Sequence, residues 1–544
     1  MGEGNRSRNA KRREADRRRR KRRQEQRRKR QEELDARLHA TMLDQIPENY
    51  IDFFPAAREL KRTFILHIGP TNSGKTYEAM QALRRAGDGV YLAPLRLLAY
   101  EQFEQMNADG YPCSLVTGEE RYPVENAYFQ SSTIEMLNLQ KYYSCAVIDE
   151  AQMLADDERG GAWTAAILGV CADEVHVCLA PNAEKLVIRL IRECGEEYRI
   201  VRHERKTPLI TEKGEFSFPE DVRKGDALVV FSKRMVHAVA SELQRQGRSC
   251  SVIYGALPYD VRHEQARLFA EGYNEVVVAT DAIGMGLNLP IRRVVFLEMS
   301  KFDGKTTRDL LPEEIRQIAG RAGRFGIYEK GFATSLIYRE RIRKALSTKG
   351  RQLPFSAVGF PESLLDIPAS LLDILRKWAE VQMHTGYKKS DPQRMIRLCR
   401  AIQSLSEDKR FLYDCLTIPF DEQNPILFSM WKEMCRYEAN NACYPVEMYL
   451  PTRSAIHSIY DDLDELEQLF KRCDLLYGYC DKFGHDEYVE DIINRKNRIS
   501  RAIIRILDRQ ELSSRGCRRC GKPLPWNYPY GLCEKCFGEQ RYAR

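Results

Sequence analysis

Long apolar runs are absent from this sequence, which limits where the protein can reside. No stretch of about eighteen apolar residues occurs, so we expect no transmembrane helix and no membrane partner. The amino terminus also lacks the apolar segment of a secretory signal. Glu14, Asp16 and Glu25 interrupt its basic run, which makes it a poor match to a mitochondrial transit peptide. These absences predict a cytoplasmic protein.

Cysteine is too sparse for a secreted disulfide scaffold, with 16 cysteines in 544 residues. Twelve of them stand singly among apolar residues and are expected to be reduced thiols, and the other four form one group near the carboxyl terminus. No repeat of fixed period is present. The apolar content of 43% is ample for three or four domains of ordinary size.

Positive charge is concentrated at the amino terminus. Residues 1–30 carry about twelve net positive charges, whereas the whole chain has a formal net charge of +8. A basic tail of this density suits a polyanion such as nucleic acid or a ribosome. The alternative is an inert or targeting extension. We assign residues 1–34 to this basic tail and residues 35–60 to a helical linker.

Two series of short β-branched runs, separated by segments of helical length, follow the tail. They predict strands at 63–68, 89–93, 145–148 and 175–180, and then at 227–231, 249–254, 275–279, 292–297 and 332–338. Such alternation predicts two α/β domains with parallel sheets, at residues 61–206 and 207–349.

The remainder of the chain has a different pattern. Apolar residues at helical spacing predict an all-α domain over residues 350–510, with helices at 361–381, 391–405, 425–438 and 456–473. Residues 511–544 are rich in glycine, proline and cysteine, and they are predicted to form a small separate module.

The first predicted strand leads directly into a phosphate-binding loop of the pattern G-x-x-x-x-G-K-T. Its glycines let backbone N–H groups approach phosphates, and the start of the next helix adds favourable partial charge. We expect Lys75 to reach the β- and γ-phosphates and Thr76 to hold Mg²⁺. The predicted nucleotide-binding residues are Gly69, Thr71, Asn72, Ser73, Gly74, Lys75 and Thr76.

An acidic pair follows the strand predicted at 145–148, in the sequence Asp149-Glu150-Ala151-Gln152. Beside a phosphate-binding loop, Asp149 can hold Mg²⁺ and Glu150 can act as general base toward the attacking water. Two acids at the end of a strand are weak evidence alone. The phosphate-binding loop, which we place on the neighbouring strand, strengthens the assignment.

These two motifs and the segment Gln317-Ile-Ala-Gly-Arg321-Ala-Gly-Arg324 stand in the order and spacing of superfamily 2 helicases. The finer sequence resembles the ATP-dependent RNA helicases of the mitochondrial degradosome and their bacterial relatives, and the segments that carry this likeness are 69–77, 93–99, 148–152, 254–258 and 279–286. The resemblance covers about residues 60–350. It implies that the two α/β domains are RecA-like and stand in tandem.

The resemblance also implies roles for individual residues. Arg321 and Arg324 would act as arginine fingers on the γ-phosphate, and Gln317 would sense that phosphate, so that hydrolysis is coupled to closure of a cleft. The residues implied to contact the RNA backbone, with little sequence preference, are Arg96, Thr117, Ser232 and Thr280.

The sequence departs from the family pattern in three places. Gln152 is the fourth residue of the acidic motif, so the chain is neither a strict DEAD-box nor a DEAH protein. No adenine-reading glutamine motif precedes Gly69, so ATP is the default substrate and loose nucleotide selectivity is expected. The short basic amino-terminal portion differs from the helical domain expected in mitochondrial members, and this favours a bacterial-type cytoplasmic relative.

Two Cys-x-x-Cys pairs, twelve residues apart, lie in the last module, at Cys517, Cys520, Cys533 and Cys536. Four thiolates on tight turns suit tetrahedral Zn²⁺, and a module this small needs such a staple, so we predict a zinc ribbon. A pair of disulfides is the alternative. Trp526, Tyr528 and Tyr530 lie between the pairs, where they could stack on single-stranded bases or pack against the helical domain.

Together these features predict an ATP-dependent RNA helicase with Mg²⁺ and Zn²⁺ as cofactors, a single-stranded RNA track and a duplex RNA substrate. Two alternatives stay open. One is a DNA helicase or translocase with the same motor. The other is a weakly catalytic remodelling factor bound to nucleic acid or the ribosome. A ribosome or nuclease partner is compatible with the sequence.

Overall fold

The computed structural model describes residues 46–47, 49–118, 120–284, 289–303, 306–452, 456, 462–508, 519–520, 522 and 533–536. They fall in two compact units. The larger unit comprises Phe54–Gly359, Gly386–Ser390 and the chain from Ile418, and the smaller comprises the chain up to Phe53, Phe360–Thr385 and Asp391–Thr417. The predicted basic tail lies outside the described residues.

An eight-stranded sheet forms the first domain of the larger unit. Its strands are β1 (Thr63–Ile68), β2 (Gly89–Ala93), β3 (Cys113–Val116), β4 (Arg121–Tyr122), β5 (Phe129–Thr133), β6 (Tyr142–Ile148), β7 (Cys171–Leu179) and β8 (Glu197–Arg202). The spatial order is β4-β3-β5-β2-β6-β7-β1-β8, and all neighbours are parallel except β3 and β4. Its helices are α1 (Pro55–Arg58), α2 (Lys75–Ala86), α3 (Arg96–Ala108), α4 (Gly160–Gly169) and α5 (Glu184–Glu193).

The four strands predicted for this domain are present, and four others, β3, β4, β5 and β8, were not predicted. β2 is wholly buried, as is usual for the central strand of a parallel sheet, and such strands give continuous apolar runs. By contrast, β5 has the sequence FQSST, and every residue of β8 is at least partly exposed. Because β5 and β8 are rich in polar residues, a search for apolar runs does not find them.

A six-stranded parallel sheet forms the second domain. The strands in this part of the chain are β9 (Leu209–Thr211), β10 (Asp226–Val229), β11 (Cys250–Ile253), β12 (Val276–Ala279), β13 (Arg293–Phe296), β14 (Ser300–Phe302), β15 (Thr307–Asp309) and β16 (Gly331–Ser335). The sheet order is β11-β12-β10-β13-β16-β9, while β14 and β15 form a separate antiparallel pair. Its helices are α6 (Lys233–Arg245), α7 (Tyr259–Ala270), α8 (Pro312–Ala319) and α9 (Arg339–Ser347). The prediction of two parallel-sheet, RecA-like domains is thus confirmed.

The carboxyl-terminal region is helical, as predicted, although it is not all-α. Two three-residue strands, β17 (Ser356–Val358) and β18 (Tyr387–Lys389), pair in parallel, and strands this short leave no periodic signal. The smaller unit contains α10 (Leu371–Glu380), α11 (Pro392–Ile402) and α12 (Lys409–Thr417). The larger contains α13 (Pro425–Ala439), α14 (Val446–Tyr449), α15 (Leu463–Phe483) and α16 (Val489–Asp508). Among the described helices, none has the length and apolarity needed to cross a bilayer.

The smaller unit packs around one tryptophan. Trp378 of α10 is 2% exposed, and its ring centroid lies 6.3 Å from that of Tyr50 and 6.0 Å from that of Phe53. Tyr50–Phe53 is a 3-10 helix. The predicted helical linker at 35–60 is therefore not one continuous helix where it is described, because only this turn and the four-residue α1 are helical there.

Candidate active site

The phosphate-binding loop connects β1 to α2 and has little room for side chains. A Cβ at Gly69 would lie 2.5 Å from the carbonyl oxygen of His203 and 2.8 Å from Ser73 Oγ. Gly74 precedes α2 in the left-handed region, with φ of 86°. Glycine is required at both places, for close approach at the first and for backbone conformation at the second.

Two polar side chains of the loop are placed where they could bind a ligand. Lys75 Nζ donates a hydrogen bond of 2.7 Å to the carbonyl of Pro70 in an exposed position. Ser73 is 4% exposed, and its hydroxyl has no hydrogen-bond partner among the described residues. A buried hydroxyl without a partner costs about 1–3 kcal/mol, so this loop fits a bound polar group better than an empty surface.

Thr76 and Asp149 meet at the carboxyl edge of the first sheet. Thr76 Oγ1 lies 3.1 Å from both carboxylate oxygens of Asp149, and the buried Tyr91 hydroxyl donates to the same carboxylate at 3.0 Å. Burial, followed by the Glu150 carboxylate, raises the pKa of Asp149 to about 6. A hydroxyl and a carboxylate this close are a suitable pair of oxygen ligands for Mg²⁺.

The strands that carry the two motifs are not neighbours, which corrects the sequence analysis. β7 lies between β1 and β6 in the sheet. The chemistry is unaffected, because parallel strands end at the same edge whether or not they are adjacent. The pairing order of non-consecutive strands carries no local sequence signal, and for this reason it was missed.

Gln152, the unusual residue of the acidic motif, holds Glu150 in place. Its Nε2 donates to a carboxylate oxygen of Glu150, and its Oε1 accepts from the backbone N–H of Ala180 at 3.1 Å. Glu150 itself has φ of 49°, an uncommon value for a residue with a side chain. The amide therefore links the acidic motif to the end of β7.

The arginine-rich segment begins in α8 and continues beyond its end. Gln317 is half-buried in α8, and Arg324 is half-buried in the loop that follows. Arg321 donates to the carbonyl of Gly284 from Nε at 2.9 Å and from Nη2 at 2.5 Å. Its Nη2 also lies 4.0 Å from Glu150 Oε1. Arg321 thus lies within ion-pair distance of Glu150, the second acid of the pair.

Two residues connect the phosphate-binding loop to the arginine-rich segment through hydrogen bonds. Asn72 Nδ2 donates to the carbonyl of Gly320 at 3.1 Å. Arg205, in the connection between the domains, donates to the carbonyls of Thr71 and Gly320 at 3.2 and 2.8 Å, and also to that of Ala322. Burial lowers the pKa of Arg205 to about 10. Sequence analysis missed Arg205, which lies in no motif.

Three histidines beside the loop were also missed. His67 of β1 hydrogen-bonds through Nδ1 to His203 at 3.0 Å and through Nε2 to His176 at 2.9 Å. Burial, followed by the positive charge of His176 and then of His203, lowers the pKa of His67 to about 3. A chain of neutral imidazoles therefore supports the back of the loop. The residues come from β1, from β7 and from the position just after β8, so only the sheet order reveals the group.

The four predicted RNA contacts lie in different settings. Arg96 pairs with Glu120 and its guanidinium lies 5.1 Å from the ring centroid of Tyr259. Thr117 is 1% exposed and donates to the carbonyl of Glu120 at 3.1 Å. Ser232 is exposed and caps α6 by accepting a hydrogen bond from Met235 N–H, while Thr280 is 8% exposed and accepts one from Ala282 N–H. The four residues therefore do not form one exposed surface.

Three of the four predicted zinc ligands come together. The sulfur atoms of Cys520, Cys533 and Cys536 all lie within 4.8 Å of one another, and the first two are 3.7 Å apart. None of the three forms a disulfide with another described cysteine. Cys517 and the aromatic residues predicted for base stacking lie outside the described residues. The zinc ribbon therefore stays a prediction.

Comparison with known proteins supports the assignment of the two domains. Residues 51–203 match the DEXQ-box helicase domain of Suv3, and residues 215–326 match the helicase conserved C-terminal domain. Gln152 is the glutamine in the name of the first family. The resemblance to superfamily 2 helicases that was predicted from the motifs is confirmed.

Individual relatives are also similar to this chain. The Arabidopsis thaliana mitochondrial DExH-box ATP-dependent RNA helicase DExH16 is 46% identical over 276 residues, 50% of this chain and 48% of the relative. Human mitochondrial ATP-dependent RNA helicase SUPV3L1 is 37% identical over 423 residues, 73% of this chain and 53% of the relative. The Candida albicans mitochondrial SUV3 is 44% identical over 297 residues, 53% of this chain and 41% of the relative. The chain thus spans about half the length of the curated relatives it matches.

These relatives overturn the predicted location. All three are named as mitochondrial proteins, so the prediction of a cytoplasmic protein is wrong. That prediction rested on the lack of a recognisable transit peptide in the basic tail, and the mitochondrial location in the names of the relatives contradicts it. By its motifs, its two parallel sheets and these matches, the chain is similar over residues 51–203 to the Suv3-type DEXQ-box helicase domain and over residues 215–326 to the helicase conserved C-terminal domain.

Proposed function

We propose that this chain is an ATP-dependent RNA helicase, which couples ATP hydrolysis to movement along one RNA strand and to unwinding of RNA duplexes. The observation that supports this most directly is the hydrogen bond from Asn72 to the carbonyl of Gly320, since it joins the phosphate-binding loop of one domain to the arginine-rich segment of the other. A nucleotide in this position is contacted by both domains, so loss of its γ-phosphate changes how they bind each other.

The nucleotide-binding residues divide the chemistry between the domains. Lys75 exchanges its contact with Pro70 for the β- and γ-phosphates, and the backbone from Gly69 to Thr76 surrounds them. Glu150, held by Gln152, accepts the proton of the attacking water. From the other domain, Arg321 and Arg324 stabilise the charge that develops on the γ-phosphate, and Gln317 senses its presence.

The metal partner of ATP fits the residues at the edge of the sheet. Thr76 and Asp149 would hold Mg²⁺, since the hydroxyl is 3.1 Å from both carboxylate oxygens. The ion would supply positive charge that offsets the negative charge of the phosphates. Tyr91 orients the carboxylate by donating to Oδ2.

The remaining predicted sites belong to the same proposal. Arg96, Thr117, Ser232 and Thr280 contact the RNA backbone once the contacts of Arg96 with Glu120 and of Thr117 with the turn have rearranged. The group of Cys517, Cys520, Cys533 and Cys536 binds one structural Zn²⁺, and the three thiols that lie close together support this. The names of the relatives, which are RNA helicases, support RNA over DNA.

The decisive test compares hydrolysis of ATP by the full chain with RNA, with DNA and without a polymer. We expect RNA to stimulate turnover more than DNA does, and the Lys75→Ala variant to show no stimulated turnover. Equal or greater stimulation by DNA would assign the motor to a DNA translocase. Absence of turnover with any polymer would leave a binding or remodelling factor.

A further inference from the structure

The ends of two long helices bring a second group of metal-ligating side chains together, far from the nucleotide site in sequence. Cys443 lies in the loop between α13 and α14, and His485 and Glu487 follow α15. One ligand atom from each of these three residues lies within 4.8 Å of the other two. The turn that delivers His485 is set by Gly484, which ends α15 at φ of 75° and donates its N–H to the carbonyl of Cys480. No motif or family feature accounts for the group.

The distances are close to those of a metal site. In a tetrahedral zinc site, with bonds of about 2.0–2.3 Å, the ligand atoms lie roughly 3–4 Å apart. His485 Nδ1 is already 4.0 Å from Glu487 Oε1. Glu487 is 60% exposed in its side chain, so it can move toward the ion without disturbing the core. Cys443 donates its thiol proton to the carbonyl of Tyr444 at 3.3 Å, and binding would release that proton to solvent.

An independent feature prepares the histidine for a metal. The Nε2 of His485 contacts a carboxylate oxygen of Glu438 in α13. The hydroxyl of Tyr479 donates to the same oxygen at 2.5 Å, and accepts from the backbone N–H of Tyr444 at 2.9 Å. Histidines that bind metals usually donate their other ring N–H to a carboxylate in this way. In the neutral ring, a proton on Nε2 leaves the lone pair on Nδ1, which is the atom that lies 4.0 Å from Glu487 Oε1.

We propose that Cys443, His485 and Glu487 bind one Zn²⁺, with Glu438 as the positioning residue and water in the fourth place. A thiolate and an imidazole favour zinc over Mg²⁺ or Ca²⁺, which prefer oxygen ligands. The ion ties the carboxyl-terminal end of α13 to that of α15 and so stabilises the helical part of the larger unit. This site is separate from the cysteine group at 517–536 and does not depend on the proposed helicase activity.

The test uses the full-length chain in a Cys533→Ser background, which removes the carboxyl-terminal cysteine group from the measurement. After equilibration with Zn²⁺ and removal of excess metal, we expect about one equivalent of zinc in this background. Adding Cys443→Ser should reduce it to none. Adding Cys194→Ser, which removes another partly exposed thiol, should leave it at one. Equal zinc in the background and in the Cys443→Ser variant overturns the proposal.

Co²⁺ absorption, measured together with circular dichroism, separates loss of the metal site from loss of folding. The background protein should show a thiolate-to-cobalt absorption band, and the band should vanish with Cys443→Ser while circular dichroism stays unchanged. If that variant fails to fold, His485→Gln in the same background replaces it. Glu438→Gln keeps all three ligands and should weaken Zn²⁺ binding about 10- to 100-fold. Absence of the cobalt band in the background overturns the site, and unchanged affinity in Glu438→Gln removes Glu438 from it.

Discussion

Asn72 of the phosphate-binding loop donates a hydrogen bond of 3.1 Å to the carbonyl of Gly320, at the end of α8 in the other RecA-like domain. The approach is close: a Cβ at Gly320 would lie 3.0 Å from Cβ of Thr71. Side chains of the loop therefore contact the backbone of the other domain at the place where a nucleotide would bind. Substitutions on either side of this contact should therefore change hydrolysis.

Removing a catalytic group should stop hydrolysis without unfolding the protein. We expect Lys75→Ala to lose nucleotide-dependent unwinding and Glu150→Gln to bind ATP while turnover collapses. Arg324→Ala should lose on the order of 10³-fold in turnover. Arg343→Ala, which removes an exposed arginine that pairs only with Glu340 on the surface, serves as the control and should match the unaltered protein. Turnover of Arg324→Ala close to that of the control would exclude an arginine finger.

Gln152 should affect hydrolysis by holding the Glu150 carboxylate in position. Its amide donates to the Glu150 carboxylate and accepts from the N–H of Ala180, so Gln152→Ala frees the general base to rotate. We expect turnover to fall about 10- to 100-fold, within the range for general-base catalysis, while nucleotide affinity stays nearly constant. Single-turnover hydrolysis and equilibrium binding separate the two effects. A loss of affinity with unchanged turnover would show that Gln152 acts on binding instead.

Arg205 should couple the domains. Arg205→Ala leaves the carbonyls of Thr71, Gly320 and Ala322 without this donor, at a cost of about 1–3 kcal/mol in the free energy of unfolding. Turnover should fall as well, because the cleft no longer closes in the same way. Arg202→Ala is the matched control, since it removes only an exposed ion pair with Glu184, worth about 1 kcal/mol at most. Equal effects of the two variants on turnover would contradict the coupling role.

Acid should weaken the second domain through His237. Burial, followed by the Lys233 ammonium, lowers the pKa of His237 from 6.5 to about 4, whereas the Asp464 carboxylate opposes this. The aromatic ring of Tyr254 packs edge-on against the imidazole. Between these two pH values the unfolded chain binds a proton that the folded protein does not. The contribution to stability is thus complete above pH 6.5 and is lost as the pH falls toward 4.

Replacing that imidazole isolates its effect. His237→Phe has no group to titrate, so its free energy of unfolding should fall less steeply than that of the unaltered protein between pH 6.5 and 4. Urea denaturation at several pH values within this range measures the difference. Parallel curves for the two proteins would show that His237 does not contribute to the acid sensitivity.

Deleting residues 1–30 should weaken RNA binding mainly at low salt. The segment carries about twelve net positive charges, which release counterions when they bind a polyanion, so the salt dependence of the affinity should flatten. Sequence preference should not change, because phosphate contacts do not distinguish bases. Titrations over a range of salt concentrations test this. An unaltered slope would mean that the tail takes no part in binding.

Local sequence determined the phosphate-binding loop and many of the strands. All nine strands that the β-branched runs predicted are present, and β1 and β2 begin and end at the predicted residues. Phosphate chemistry is predicted by residues that must each stand at a fixed place next to a strand. They are Gly69, Gly74, Lys75, Thr76, Asp149 and Glu150. Gln152 departed from the common acidic motifs, and the Suv3-type match accounts for it.

Only the tertiary structure decided which distant groups meet. The place of β7 between β1 and β6, the contacts of Arg205 with three carbonyls, and the approach of Cys443 to His485 depend on how sheets pair and helices end. A backbone carbonyl has no signature in the sequence, and residues separated by tens of positions approach only after the intervening chain has packed. Chemistry confined to one loop is therefore encoded locally, whereas chemistry shared between elements arises from the fold.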